Sequence, residues 1–166
     1  MAAGRIAAIA ASVVALAAGV WFVTARGDEG AQIRRRLQAF ADQVNKSTVD
    51  GQGPEVRAAQ FGSYFTDDVE VDFGRGSAPI RGRDVVVGMA ERLQPRTAAF
   101  QLKLEDMAVA MGQGGDTADV HLTAAFFRRS LTTGEEWMDA REFTVGMRRA
   151  GGEWRIGRVT AVDTLK

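Results

Sequence analysis

Four long runs of alternating apolar and polar residues fill the C-terminal part of the chain, at 100–111 (FQLKLEDMAVAM), 117–128 (TADVHLTAAFFR), 136–148 (EWMDAREFTVGMR) and 153–165 (EWRIGRVTAVDTL). The turn signals GQGGD, SLTTGE and RAGG separate them, so the pattern predicts four strands joined by three hairpins. In the second run Ala118, Val120, Leu122, Ala124 and Phe126 share one wholly apolar face, opposed by Asp119, His121, Thr123, Ala125 and Phe127. Side chains alternate across a strand, so the first set is expected to meet a core and the second to face outward. A sheet of this size needs one face covered, and the cover is expected from helices earlier in the chain.

Upstream the period lengthens. Within 28–46, Ile33, Leu37, Phe40 and Val44 recur at steps of four, three and four, which predicts an amphipathic helix with Asp28 and Glu29 in its first turn. Arg34, Arg35 and Arg36 fall off that stripe and read as a solvated face, or as a contact for anionic lipid headgroups. Pro54 suits the start of a second short helix, with Ala58, Phe61 and Phe65 on its apolar side and Tyr64 on its flank. Thr66-Asp67-Asp68 then leads into a strand at 69–73, and a second short strand is expected near Ala78–Ile80. Asp84 is placed to cap a third helix over 85–93 that turns Val86, Met89, Ala90 and Leu93 inward, and Gln94-Pro95 ends it.

Before all of this stands Ile6–Ala25, twenty residues without a charge, behind a short tail at 1–5. That length spans a bilayer as a helix. Eight alanines and the small residues at Val23-Thr24-Ala25 also fit a removable signal peptide, but a signal core is usually shorter, which favours an uncleaved anchor. Either reading exports residues 26–166 if the N-terminus stays inside, giving a single-pass inner-membrane protein with an extracytoplasmic domain, or a periplasmic protein after cleavage. Arg26 and Arg34–Arg36 weigh toward the opposite topology by the positive-inside rule, unless the three arginines belong to a folded helix.

Composition narrows the chemistry. Twenty-one basic residues balance twenty-one acidic ones with no dense basic run, so a nucleic-acid partner is not expected. With no cysteine and one histidine, thiolate and multi-histidine metal sites are excluded, and no acidic run has calcium-loop spacing. No cofactor is expected.

The segments FTDDVEVDFGRG and IRGRDVVVGMAERL, with GGEWRIGRVTAVD in the last strand, resemble the strand and helix lead-ins of the NTF2-like superfamily, which includes SnoaL-type cyclases, ketosteroid isomerase and scytalone dehydratase. The resemblance covers about 28–166. It implies an α+β, NTF2-like (cystatin-like) cone, three helices on a curved and mainly antiparallel sheet, here preceded by one transmembrane helix. It implies also an apolar pocket in the cone and, in many relatives, a dimer contact on the outer sheet face. Fold alone does not assign chemistry.

Strand alternation then selects candidates. Trp137, Asp139, Arg141, Phe143, Val145 and Met147 share one face of the third long strand, and Trp154, Ile156, Arg158, Thr160 and Val162 one face of the fourth. Asp139, Arg141 and Arg158 are expected as a polar cluster at the pocket, beside Trp137, with Tyr64 and Asp72 as neighbours; cross-strand charge pairing is the structural alternative. Asp119, His121 and Phe127 are expected at an interface. The isomerase pattern is not matched: Leu37 and Phe40 stand where its tyrosine would be, and its base position falls on Phe73, with Asp72 one residue off and so on the other face. Dehydratase chemistry would need the histidine inside. The expectation is therefore a tethered, non-catalytic binding or assembly module, similar in architecture to assembly subunits of type IV secretion systems and to Mce-associated membrane proteins, with a second copy or an envelope protein as partner. The alternative is a SnoaL-like isomerase, cyclase, dehydratase or carrier that takes an apolar small molecule.

Overall fold

The computed structural model describes residues 29–46, 53–74, 76–93, 98–130 and 132–162. Helix α1 (29–46) is followed by α2 (Pro54–Gly62), β1 (Phe65–Asp72), β2 (Ile80–Arg81), α3 (Arg83–Leu93), β3 (Ala98–Met111), β4 (Thr117–Ser130), β5 (Glu136–Ala150) and β6 (Glu153–Ala161). One mixed sheet runs in the order β2-β1-β6-β5-β4-β3, antiparallel except where β1 lies parallel to β6. This is the expected α+β arrangement of three helices on a sheet. The apolar segment Ile6–Ala25 lies outside the described residues, and among those described no helix is long and apolar enough to cross a membrane.

Helix α1 lies along the inner face of the sheet because its stripe is apolar. Ile33, Leu37 and Ala41 are fully buried, with Phe40 and Val44 packed at the margin, against Val120, Leu122, Val145, Met147 and Ile156 from the strands. Two side-chain clasps fix its position lengthwise. At its start Glu29 accepts a hydrogen bond from Trp154 Nε1 at 2.8 Å and pairs with Arg149. Near its end the Asn45 amide donates to Leu102 O (2.9 Å) and accepts from Leu102 N (2.7 Å), closing part of the free edge of β3. Between them Arg34 reaches the Met107 carbonyl at 3.4 Å, beside a bulge of β3 where Asp106 adopts φ +53°.

Arg36, expected in solvent, instead stacks on the Tyr64 ring (4.4 Å), donates to Ser63 O (3.0 Å) and lies 3.6 Å from Glu153. Its long stem follows an apolar seam and only the guanidinium needs polar partners. Phe65 also departs from expectation. Helix α2 stops at Gly62, and Ile156 N donates to Tyr64 O at 2.7 Å, which draws the chain into β1 alongside β6; Phe65 is thus a buried strand residue. Helix α3 begins at Arg83, so Asp84 sits in its first turn rather than at the cap.

The Trp154 and Arg149 contacts hold the Glu29 carboxyl below the usual carboxylate range, the tryptophan hydrogen bond contributing most. A depressed carboxyl pKa stabilises the fold above the group's ordinary pKa, and that stabilisation is lost as pH falls through it toward the folded value. Glu29→Gln is therefore expected to cost about 1 kcal/mol at neutral pH, given the partial exposure of the pair. The difference from the parent should shrink on acidification. Thermal melts of both proteins across the acid range check this, and parallel pH profiles would contradict it.

Candidate functional site

Burial along β5 shows where the sheet is left open. On its inner face Phe143, Val145 and Met147 are buried beneath the helices, whereas Trp137 at the other end is 55% exposed and Asp139 and Arg141 are partly open to solvent. Register places Arg128 beside Trp137, and Phe126 beside Asp139. Below this rim the Phe126 ring lies 6.1 Å from Phe100 and 6.4 Å from Phe143. This uncovered end of the face, termed the throat, is a row of aromatic rings, and the charged side chains at its edge form its lip. Asp139 and Arg141, two residues apart on one strand face, are joined at 3.0 Å.

The sequence-derived candidates divide. Trp137, Asp139 and Arg141 share the strand face at this lip, where Asp139 and Arg141 pair. Tyr64 does not join them: it packs in the seam of α1 and α2, edge-on to Phe40 at 5.6 Å, and its hydroxyl donates to Ala39 O at 3.2 Å. Asp72 pairs laterally with Thr160 on the outer side of the sheet, and its carboxylate accepts from Gly74 N at 2.8 Å, closing its own turn. Arg158 is also on the outer side. Gly146 pairs with Arg158 while Met147 pairs with Ile156, so Gly157 is an extra residue; after it the inward positions are Val159 and Ala161 rather than Arg158 and Thr160. Arg128 was missed as a lip residue, although it shares the parity of Phe126.

The outer face carries the remaining candidates where alternation put them. Asp119 and His121 are exposed, and the Thr144 hydroxyl lies 3.2 Å from His121 Nδ1. Phe127 lies under Lys103 Nζ (5.0 Å to the ring centre) and beside Met138, which is 64% exposed. Across the same face a cleft of about 390 Å³ is bounded by Asp68, Glu70, Asp119, Arg148 and Arg158. Arg148 lies flat over the β6 bulge, where a Cβ on Gly157 would stand 2.7 Å from Arg148 Nε. It bonds to Thr66 (3.2 Å) and Asp68 (2.5 Å), and the Thr66 hydroxyl, followed by Arg148, lowers the Asp68 pKa. Among the described residues no group of three His, Asp or Glu side chains converges to hold a metal ion.

This arrangement, three helices packed with one mixed six-stranded sheet whose inner face ends in exposed aromatic and charged residues, has known counterparts. The sequence profile of the SnoaL-like domain matches residues 47–160. The chain belongs to the SnoaL-like domain family. Among curated proteins none matches this SnoaL-like chain by sequence. Solved structures do match it in fold. An NTF2-like protein with a cystatin-like fold from Novosphingobium aromaticivorans superposes with a TM-score of 0.64 at 17% identity, over 88% of this chain and 86% of that one. A second protein of that organism, provisionally assigned as a scytalone dehydratase, gives 0.65 at 12% identity, over 81% and 83%. ActVI-ORFA from Streptomyces coelicolor gives 0.61 at 10% identity, over 78% and 96%. At these identities the likeness is one of fold.

Proposed function

We propose that this SnoaL-like chain is a membrane-tethered, non-catalytic binding or assembly module, held by residues 6–25 with its domain outside the cytoplasm, that acts through self-association on its outer sheet face. The observation that carries this is the position of its single histidine. His121 points away from the throat and hydrogen-bonds to Thr144, so it is not available to a molecule inside the cone. The other acid–base candidates are engaged as well: Tyr64 with Ala39, Asp72 with its own turn, and Asp139 with Arg141. General acid–base catalysis needs a titrating group within hydrogen-bond reach of the reacting atom, and of these candidates only Asp139, held by Arg141, stands at the throat. Exposed Met138 beside Phe127, with Asp119 and His121 on the same face, forms the mixed apolar and polar surface that suits an isologous contact.

A second reading has its own support. The throat of Phe100, Phe126 and Phe143 under the Asp139–Arg141 lip fits a molecule with an apolar body and one polar end, and one fold neighbour carries a dehydratase assignment. This would be a small-molecule enzyme or carrier of SnoaL-like type.

Native mass spectrometry of the full chain released from detergent separates the two. The expected result is a dimer free of ligand, whose dissociation constant rises about tenfold or more when His121→Ser and Phe127→Ser are combined. A monomer that retains a small molecule, and loses it when Asp139→Ala and Arg141→Ala are combined, would replace the module reading with the pocket reading.

A further inference from the structure

The two clasps of α1 set the direction in which the domain is presented. Glu29 is tied to Arg149 and Trp154 beside the β5–β6 turn, and the β3–β4 turn adjoins the same place because Arg149 N donates to Asp116 O at 2.8 Å. Asn45 is tied to Leu102, whose lateral neighbours are Phe126 and then Asp139. One end of α1 therefore marks the turns and the other marks the throat. The sixteen residue steps from Glu29 to Asn45 separate these ends by about 24 Å at the α-helical rise.

The apolar segment ends at Ala25, four peptide steps before Glu29. However those steps are folded, they reach at most about 14 Å. We infer that the anchored domain rests near the bilayer on its β3–β4 and β5–β6 turns and opens the throat of Arg128, Trp137, Asp139 and Arg141 toward the aqueous compartment. The inference rests on the tether proposed above. Bilayer volume is closed to the domain, and with Glu29 no more than about 14 Å out, the roughly 24 Å to the throat end rules out pointing the throat at the bilayer and leaves only tilts near flat that bring it as close as the turns. An occupant of the throat then comes from solution, as a free amphiphile or a segment of a water-soluble protein, and a lipid cannot slide into the cone directly from the leaflet. The same orientation leaves the outer sheet face upright and free for a second tethered copy.

The chain has no cysteine, which makes single labels unambiguous. Gln113→Cys, in the β3–β4 turn, and Thr132→Cys, in the β4–β5 turn beyond the throat, are both exposed positions. Each full-length variant would carry a fluorophore and be reconstituted into phosphatidylcholine vesicles with nitroxide-labelled headgroups. The expected result is quenching several-fold stronger at 113 than at 132. Equal quenching, or stronger quenching at 132, in protein that floats with the vesicles would overturn the orientation and leave the tether intact. Failure of the full-length chain to float with vesicles would overturn the tether and this inference with it.

Discussion

Truncating Trp154 to alanine is expected to destabilise the domain by about 3–5 kcal/mol, the range for removing a large buried aromatic. The indole is 3% exposed at the start of β6, its ring lies 5.2 Å from the Arg149 guanidinium, and its N–H is bonded to Glu29. Three losses coincide: apolar burial, the cation–π contact, and one of the two partners of the Glu29 carboxylate. Small domains are stable by only about 5–15 kcal/mol in total, so the change should lower the melting temperature by about 10 °C or more. Trp154→Phe keeps most of the packing and removes only the donor, so it should cost roughly 1–2 kcal/mol. Urea denaturation of the three proteins provides the comparison. A loss for the alanine variant no larger than that for phenylalanine would mean that the start of α1 is not part of the cooperative core.

Val159→Asp is the second large effect, about 3 kcal/mol, set against less than about 0.5 kcal/mol for Arg158→Ala. Val159 packs on the buried cluster from the inner side of β6, while Arg158 is exposed on the outer side. A carboxylate at 159 would lose hydration among apolar neighbours with no cation built to meet it. Strict alternation from Trp154 and Ile156 predicts the reverse ranking, with Arg158 inward, so the two variants measure the bulge at Gly157 directly. Comparable destabilisation by both would contradict the register of β6 against β5.

Both effects bear on function through position. Trp154 holds the start of α1, from which the proposed tether would lead, and the bulge sends Arg158 out to the cleft beside Arg148 and Asp68 rather than into the throat. The throat keeps only the Asp139–Arg141 pair and Arg128 as charged groups from β4 and β5, and the outer face gains a mixed-sign surface.

The sequence by itself determined what local periodicity carries. The alternation at 117–128 placed Phe126 inward and Asp119, His121 and Phe127 outward, and the turn signals located all three hairpins of the long strands. The 3.6-residue stripe gave α1 its buried Ile33 and Leu37. Parity along an unbroken strand also brought Trp137, Asp139 and Arg141 together at the lip. Only the tertiary structure decided the rest, because the deciding partners lie far along the chain. Whether β6 keeps its alternation through Gly157 depends on Arg148 of the neighbouring strand lying across that glycine and on the pairings of Gly146 and Met147. Phe65 joins a strand because Ile156 donates to Tyr64, and Tyr64 turns to the helix seam because Ala39 and Arg36 receive it there. Periodicity fixes which way a side chain points from its own element; which neighbour waits in that direction is set by packing between elements, and a bulge, a clasp or a stacked guanidinium leaves no period in the sequence.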